Sequence, residues 1–315
     1  MLKNKKILIT GATGFVGANL TRYFLKKSAK VSIFTRKTSD TWRINDILKD
    51  VSGYLVDLKD SAGLKKIIKK IKPDVIIHAA VYGGYPFQKD TSEIVETNFT
   101  GTVSLIDACS GIDFELFINT GSSSEYGIKS KPMGEDDILE PINEYGASKV
   151  AAFSYCHRVA KKGNKPIVTL RLFSPYGYYE EKNRLISSTI LSCLRFNNPK
   201  LSSPGSVRDF VFIEDVINAY EKAIDNKDKV KGGVLNIGSG RQNTVGEVVK
   251  SIVKLTDNSV KPEWGKVNNY RQEPECWQAD ISKARTLLNW EPKYSLIEGL
   301  KKNINWFKRN INLYK

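Results

Sequence analysis

Histidine and cysteine are both scarce in this chain of 315 residues, which holds two of the first and four of the second. His78 and His157 stand far apart, and Cys109, Cys156, Cys193 and Cys276 contain no C-x-x-C pair. A structural zinc site needs clustered ligands of these types, so no metal is expected. Most histidine-based acid–base chemistry is excluded with it. Scattered cysteines also argue against a disulfide framework and point to a reducing cytoplasm. No apolar run approaches the roughly 20 residues of a membrane-spanning helix, so no membrane partner is expected. The opening MLKNKKILIT is basic, but its apolar run stops at Gly11. That falls short of the roughly 7–15 residues of a signal-peptide core.

Acidic charge is in deficit, with 34 Asp and Glu against 49 Lys and Arg for a net +15. The excess lies in scattered pairs such as Lys26-Lys27, Lys65-Lys66, Lys69-Lys70 and Lys161-Lys162. A basic arm would need a block of about five or six like charges. A solvated surface therefore outweighs a nucleic-acid-binding one, and no nucleic-acid partner is expected.

Hydrophobic residues at 41% and charged residues at 26% are ordinary for a globular chain. The length suits about two domains and a full core without staples. Short β-branched runs alternate with helical periodicity through the first half. Strands are expected at Lys6–Thr10, Val31–Thr35, Tyr54–Val56, Val75–Ala79, Leu116–Thr120 and Ile167–Leu172. Helices are expected at Phe15–Lys27, Leu64–Ile71, Asn98–Cys109 and Glu144–Lys161. VIIHAA and LFIN are continuously apolar, as strands buried on both faces must be. This order implies an α/β fold with a doubly wound parallel sheet. After Ser174 the connections become longer and more polar. Residues 1–174 are expected to form a dinucleotide-binding Rossmann domain, and 207–233 to return to it. Residues 175–315 are then a smaller, mixed α/β substrate domain.

Directly after the first strand stands Gly11-Ala-Thr-Gly14-Phe-Val-Gly17. Glycines there permit a tight turn and let backbone N–H groups meet a pyrophosphate, which the helix N-terminus also attracts. Strand, loop and helix agree, so Gly11, Thr13, Gly14, Phe15, Val16 and Gly17 are candidate cofactor contacts. Tyr145 and Lys149 form Tyr-x-x-x-Lys on an expected helix, one turn apart on one face. A free phenol has a pKa of about 10 and is a poor base near neutrality. An adjacent ammonium should lower it and let Tyr145 exchange a proton with a sugar oxygen.

The G-x-x-G-x-x-G spacing is similar to the short-chain dehydrogenase/reductase superfamily, specifically its extended, nucleotide-sugar-modifying members. The resemblance implies an NAD(P)-dependent enzyme acting on a nucleotide diphosphate sugar, and a homodimer. In Thr120-Gly-Ser122-Ser-Ser-Glu-Tyr126-Gly127 it assigns Ser122 to the reacting oxygen, completing a triad with Tyr145 and Lys149. Lys149 would also bond the nicotinamide ribose. Asp57 and Leu58 fall where the family holds adenine, and Ala79 and Ala80 where a loop flanks the cofactor. Asn98 resembles an asparagine that props the central helix. Ser123 and Ser174 fall at substrate contacts, Ser174 in place of the usual Asn. Arg208, in Arg-Asp-Phe-Val-Phe-Ile-Glu-Asp215, and Arg271 resemble the two diphosphate arginines, a role suited to guanidinium.

The family binds the adenosine ribose diol with a carboxylate at the end of the second strand. Here that strand ends Thr35-Arg36-Lys37, which favours a 2′-phosphate and NADP(H), with NAD(H) as the alternative. Ser123 and Ser124 stand where 4,6-dehydratases carry acids, which disfavours dehydration, and Ser124 replaces the cysteine of 3,5-epimerase/reductases. A 4-ketoreductase of a 4-keto-6-deoxyhexose nucleotide is favoured, resembling those that make CDP-abequose and CDP-paratose. A 4-epimerase (or 2-epimerase) with tightly held NAD is the alternative. A non-catalytic nucleotide-binding regulator is the distant third, disfavoured because both Tyr145 and Lys149 are present.

Overall fold

The computed structural model describes residues 2–256, 259–267 and 274–314. Six strands come first along the chain: β1 Lys6–Thr10, β2 Lys30–Thr35, β3 Ser52–Leu55, β4 Val75–His78, β5 Leu116–Ser122 and β6 Ile167–Leu172. They pair in parallel in the order β6-β5-β4-β1-β2-β3. This is a Rossmann-type doubly wound sheet, as expected. The order reverses at β1, so the crevice for a ligand opens at the carboxyl ends of β1 and β4.

Alternation along β1 explains the layering. Ile7 and Ile9 join Leu20 and Phe24 of helix Phe15–Lys26 and Val216 and Tyr220 of helix Ile213–Asp225. Leu8 points the other way, into Leu64 and Ile68 of helix Ser61–Ile71, Leu105 of helix Gly101–Cys109 and Cys156 of helix Glu144–Gly163. Both faces are covered, which is why these strands are continuously apolar.

Two differences from the sequence reading stand out. Val234–Ile237 pairs in parallel with β6 as a seventh strand, so the returning segment runs beyond residue 233. The helix expected from Asn98 begins at Thr91, capped by the Asp90 side chain, and passes through a π turn at Glu96–Thr100 before continuing as Gly101–Cys109. A single π turn inside a helix often marks a functional site. Here it carries Asn98, whose side chain bonds both backbone groups of Tyr82 and the Ser148 hydroxyl. The prop implied by the family resemblance thus ties helix Glu144–Gly163 to the loop after β4.

Beyond β6 the two-residue pairs Val207–Arg208 with Asn243–Thr244, and Pro175–Tyr176 with Val211–Phe212, accompany helices Leu185–Leu194, Val245–Thr256, Ser282–Leu288 and Leu296–Asn310. Among the described residues no helix is long and apolar enough to cross a membrane. All four cysteines are free and buried, and burial pushes the Cys109 and Cys156 thiols up to about 12.

A fully buried ion pair joins β6 to the turn that follows β5. Arg171 Nε meets Glu125 Oε2 at 2.7 Å with both side chains fully buried. Removing one partner leaves an uncompensated charge, so Glu125→Ala should lower stability by about 3–5 kcal/mol in urea unfolding. A loss under about 1 kcal/mol would show that the pair does not support the sheet.

Candidate active site

The phosphate loop is shaped by close approach. Gly11 has φ +69°, and a Cβ there would lie 2.4 Å from the Ala79 carbonyl oxygen. A Cβ on Gly17 would lie 2.1 Å from the Gly11 carbonyl oxygen. Only glycine lets this loop pack against the end of β4. Helix Phe15–Lys26 starts at Gly14 with no side-chain cap and no acidic residue in its first turn. Its leading N–H groups therefore suit an anion such as pyrophosphate. Phe15 is buried beneath the loop, while Thr13 and Val16 are half-buried. The residues present fit a dinucleotide cofactor.

Ala79 and Ala80 follow β4 at the loop's edge and are half-buried. His78 beside them is a satisfied core residue. Thr102 donates to the Asn98 carbonyl, so His78 Nε2–H donates to Thr102 Oγ1 at 2.9 Å. The Thr10 hydroxyl then donates to Nδ1 at 2.7 Å. Burial drives the His78 pKa down to about 3, which keeps the ring neutral.

After β3 the side chain of Asp57 accepts from the Lys59 backbone in a turn, and Leu58 packs over Gly101. Arg36 does not stand alone. Its guanidinium meets Glu93 at 3.2 Å, and Lys59 pairs with both Glu93 and Glu96. Glu93 thus already partners Arg36, one of the two cations, with Lys37, that the sequence pointed to for a 2′-phosphate.

β5 ends at Ser122, whose hydroxyl caps the short turn Ser123–Glu125, and Glu125 Oε1 accepts from the Ser122 N–H in return. Ser123 is buried. The Tyr145 phenol lies beside the Ser122 side chain, which favours its ionised form. Lys149, one turn along and buried, donates from Nζ to the Thr120 carbonyl at 3.0 Å. The expected triad is therefore brought together at one sheet edge. The expected lowering of the phenol is not found. Burial raises the Tyr145 pKa above its ordinary value, outweighing the lowering effect of Ser122. Burial also depresses Lys149 to about 8. The lysine that should supply positive charge is turned to a carbonyl and is itself held down by desolvation.

On the far side of the cleft Ser174 is half-buried, with its carbonyl accepting from the Val211 N–H. Arg208 lies with its guanidinium 5.3 Å from the Trp277 ring centre. Arg271 lies outside the described residues. A charged cluster that the sequence reading missed stands between the two halves. Arg43, nearly buried, reaches the Thr13 and Tyr179 carbonyls and the Glu181 carboxylate. Glu180 is buried and accepts from the Ser187 hydroxyl at 2.7 Å, while Arg184 bridges towards Glu180 and the Gly84 carbonyl. The signal was Glu180 and Arg184 four residues apart before an apolar helix. Their partners are too distant in sequence to be read.

The model for the NAD dependent epimerase/dehydratase family matches residues 7–238. The chain belongs to this family. It is 27% identical over 321 residues to the UDP-glucuronate 4-epimerase of Thermodesulfobacterium geofontis, covering 98% of each chain. It is 25% identical to the dTDP-D-glucose 4,6-dehydratase of Dictyostelium discoideum, covering 98% of this chain and 83% of that one. Its fold matches the crystal structure of UDP-glucuronic acid 4-epimerase from Bacillus cereus in complex with UDP-glucuronic acid and NAD, with TM-score 0.86 and 29% identity over 97% and 99% of the two chains. As a member of the epimerase/dehydratase family the protein is an NAD-dependent, nucleotide-sugar-modifying enzyme.

Glu180 gives this family member a pH signature. Burial raises its pKa to about 7, against about 4.3 in an unfolded chain. Between those values the unfolded chain releases a proton that the folded one keeps, so this site's contribution to stability is lost as pH rises from about 4 to 7. Glu180→Gln removes the titration but keeps a polar partner for Ser187. Denaturant unfolding should show the variant gaining on the wild type between pH 5 and pH 8. An unchanged difference would place the Glu180 titration outside this window.

Proposed function

We propose that the protein is a nucleotide-sugar 4-epimerase that keeps NAD bound, with Ser122, Tyr145 and Lys149 as its proton-handling centre. The observation that carries this reading is the placement of Ser122 at the carboxyl end of β5 beside Tyr145, with Lys149 buried on the same helix and bonded to the Thr120 carbonyl. Gly11, Thr13, Gly14, Phe15, Val16 and Gly17 would hold the pyrophosphate, Asp57 and Leu58 the adenine, and Ala79, Ala80 and Lys149 the nicotinamide side. NAD, when bound, would supply a reversible hydride acceptor and donor for the sugar's C4, the hydride coming back to the opposite face. Ser122 would orient the C4 hydroxyl by hydrogen bonding, and Tyr145 would take its proton and later give it back. Lys149 would supply the positive charge that ionisation of a raised phenol requires. Arg208 and Arg271 would hold the diphosphate from a substrate side formed by residues 175–315, and Ser123 and Ser174 would meet the sugar from the 1–174 side. A homodimer in the cytoplasm belongs to the same reading.

Relatives named as 4-epimerases, and neighbours whose structures contain NAD, support this reading over the ketoreductase favoured from sequence alone. The Arg36–Glu93 pair supports it too, because a 2′-phosphate would add charge beside a carboxylate while a free diol would not. Glu125, locked to Arg171, is withheld from elimination chemistry.

Purified protein should carry NAD, detected by absorbance and mass, and should interconvert a uridine diphosphate hexose or hexuronate with its 4-epimer without added cofactor. Protein lacking NAD that consumes one NADPH per 4-keto-6-deoxy sugar reduced would establish the reductase instead. Tyr145→Phe should lower turnover by about a hundredfold or more while nucleotide-sugar affinity stays nearly unchanged, since the hydroxyl acts on the transferring proton. Wild-type turnover in that variant would remove Tyr145 from the mechanism.

A further inference from the structure

The Asp209 carboxylate is fully buried and accepts four hydrogen bonds. Oδ1 takes the Ser239 N–H and hydroxyl, both at 2.6 Å. Oδ2 takes the N–H groups of Gly240 and Ala279, both at 3.0 Å. Three chain segments, at 208–209, 238–243 and 276–279, therefore meet on one anion. The segments are built to close on it. A Cβ on Gly238 would lie 2.8 Å from Asp209 Oδ2 and 2.6 Å from the Ala279 Cβ.

Only a carboxylate fits these donors. Both of its oxygens accept, whereas the amide of Asn would turn one NH₂ towards N–H groups that also donate. The neighbouring residue along the chain is Arg208. Its backbone pairs with Asn243, and its guanidinium lies over Trp277. Trp277 is held in turn, its backbone N–H donating to the Gln242 side-chain oxygen at 3.0 Å, while the Gln278 side chain donates to the Gly240 carbonyl at 2.9 Å. The bed beneath Arg208 is thus made of the two segments that Asp209 joins to its own.

We propose that Asp209 is a positioning residue for substrate: it fixes Arg208 on its Trp277 bed, so that the guanidinium meets the diphosphate already oriented. This rests on the nucleotide-sugar reading above. A guanidinium held in place loses less freedom on binding, and affinity rises by that amount.

The test is calorimetric binding of UDP to the NAD-containing protein, with NAD content and turnover measured alongside. Asp209→Asn should weaken UDP binding about tenfold, the scale of one charge-assisted contact. NAD content and kcat should stay near wild type, so the loss falls in KM. Ser239→Ala, which removes one of the four hydrogen bonds, should weaken binding in the same direction but less, and it covers the case in which Asp209→Asn fails to fold. In an Arg208→Ala background Asp209→Asn should add little, because its effect passes through Arg208. Wild-type affinity in both Asp209→Asn and Ser239→Ala, or losses that add fully in the double variant, would overturn the positioning role while leaving the enzyme's reaction standing. Wild-type protein that holds NAD yet binds no UDP would overturn the uridine-nucleotide reading above and this proposal with it.

Discussion

The Glu125–Arg171 ion pair is the contact on which the site's geometry depends. Glu125 uses one oxygen on Arg171 and the other on the Ser122 N–H, so the turn carrying the serine is anchored to β6 through a fully buried charge. Arg171 continues the connection to the Tyr126 hydroxyl, which donates to Asn236 in the seventh strand. Asn236 in turn holds the Met133 carbonyl and the Glu135 side chain. Three neighbouring strands and the loop crossing them are therefore fixed by one polar chain. Burying an ion pair is an inefficient route to stability, because desolvation consumes most of the attraction. What it secures here is register at the edge where Ser122 meets Tyr145.

The cofactor side follows a different rule, close packing of backbone on backbone. Gly11 and Gly17 bring the phosphate loop against β4, and the uncapped helix start leaves its N–H groups for an anion. Beyond it, Arg36 and Lys59 pair with Glu93 and Glu96. Burial dominates the reacting end, where it raises Tyr145 and lowers Lys149. The protein holds both groups neutral more readily than water would.

Local patterns carried most of what was legible beforehand. Continuous apolar strands gave the parallel sheet, the glycine spacing gave the phosphate loop, and the four-residue spacing of Tyr145 and Lys149 placed them on one helix face. Contacts across long sequence separations were hidden. Arg36 looked like a free cation because Glu93 stands 57 residues away. The seventh strand is four residues long and follows a polar turn, too little periodicity to read. The cluster of Arg43, Glu180, Glu181 and Arg184 exists only because the loop after the second strand meets the crossover after the sixth. The lowered Tyr145 expected from a neighbouring lysine failed for the same reason, since burial depends on the whole fold.

Hydride removal and return at C4 is the central claim, and isotope retention tests it most directly. A uridine diphosphate sugar deuterated at C4, incubated with the protein in ordinary water without added cofactor, should yield its epimer with the deuterium retained. Loss of the label to solvent would show epimerisation by carbon deprotonation and would contradict the assignment of Ser122, Tyr145 and Lys149 to an oxidation at C4.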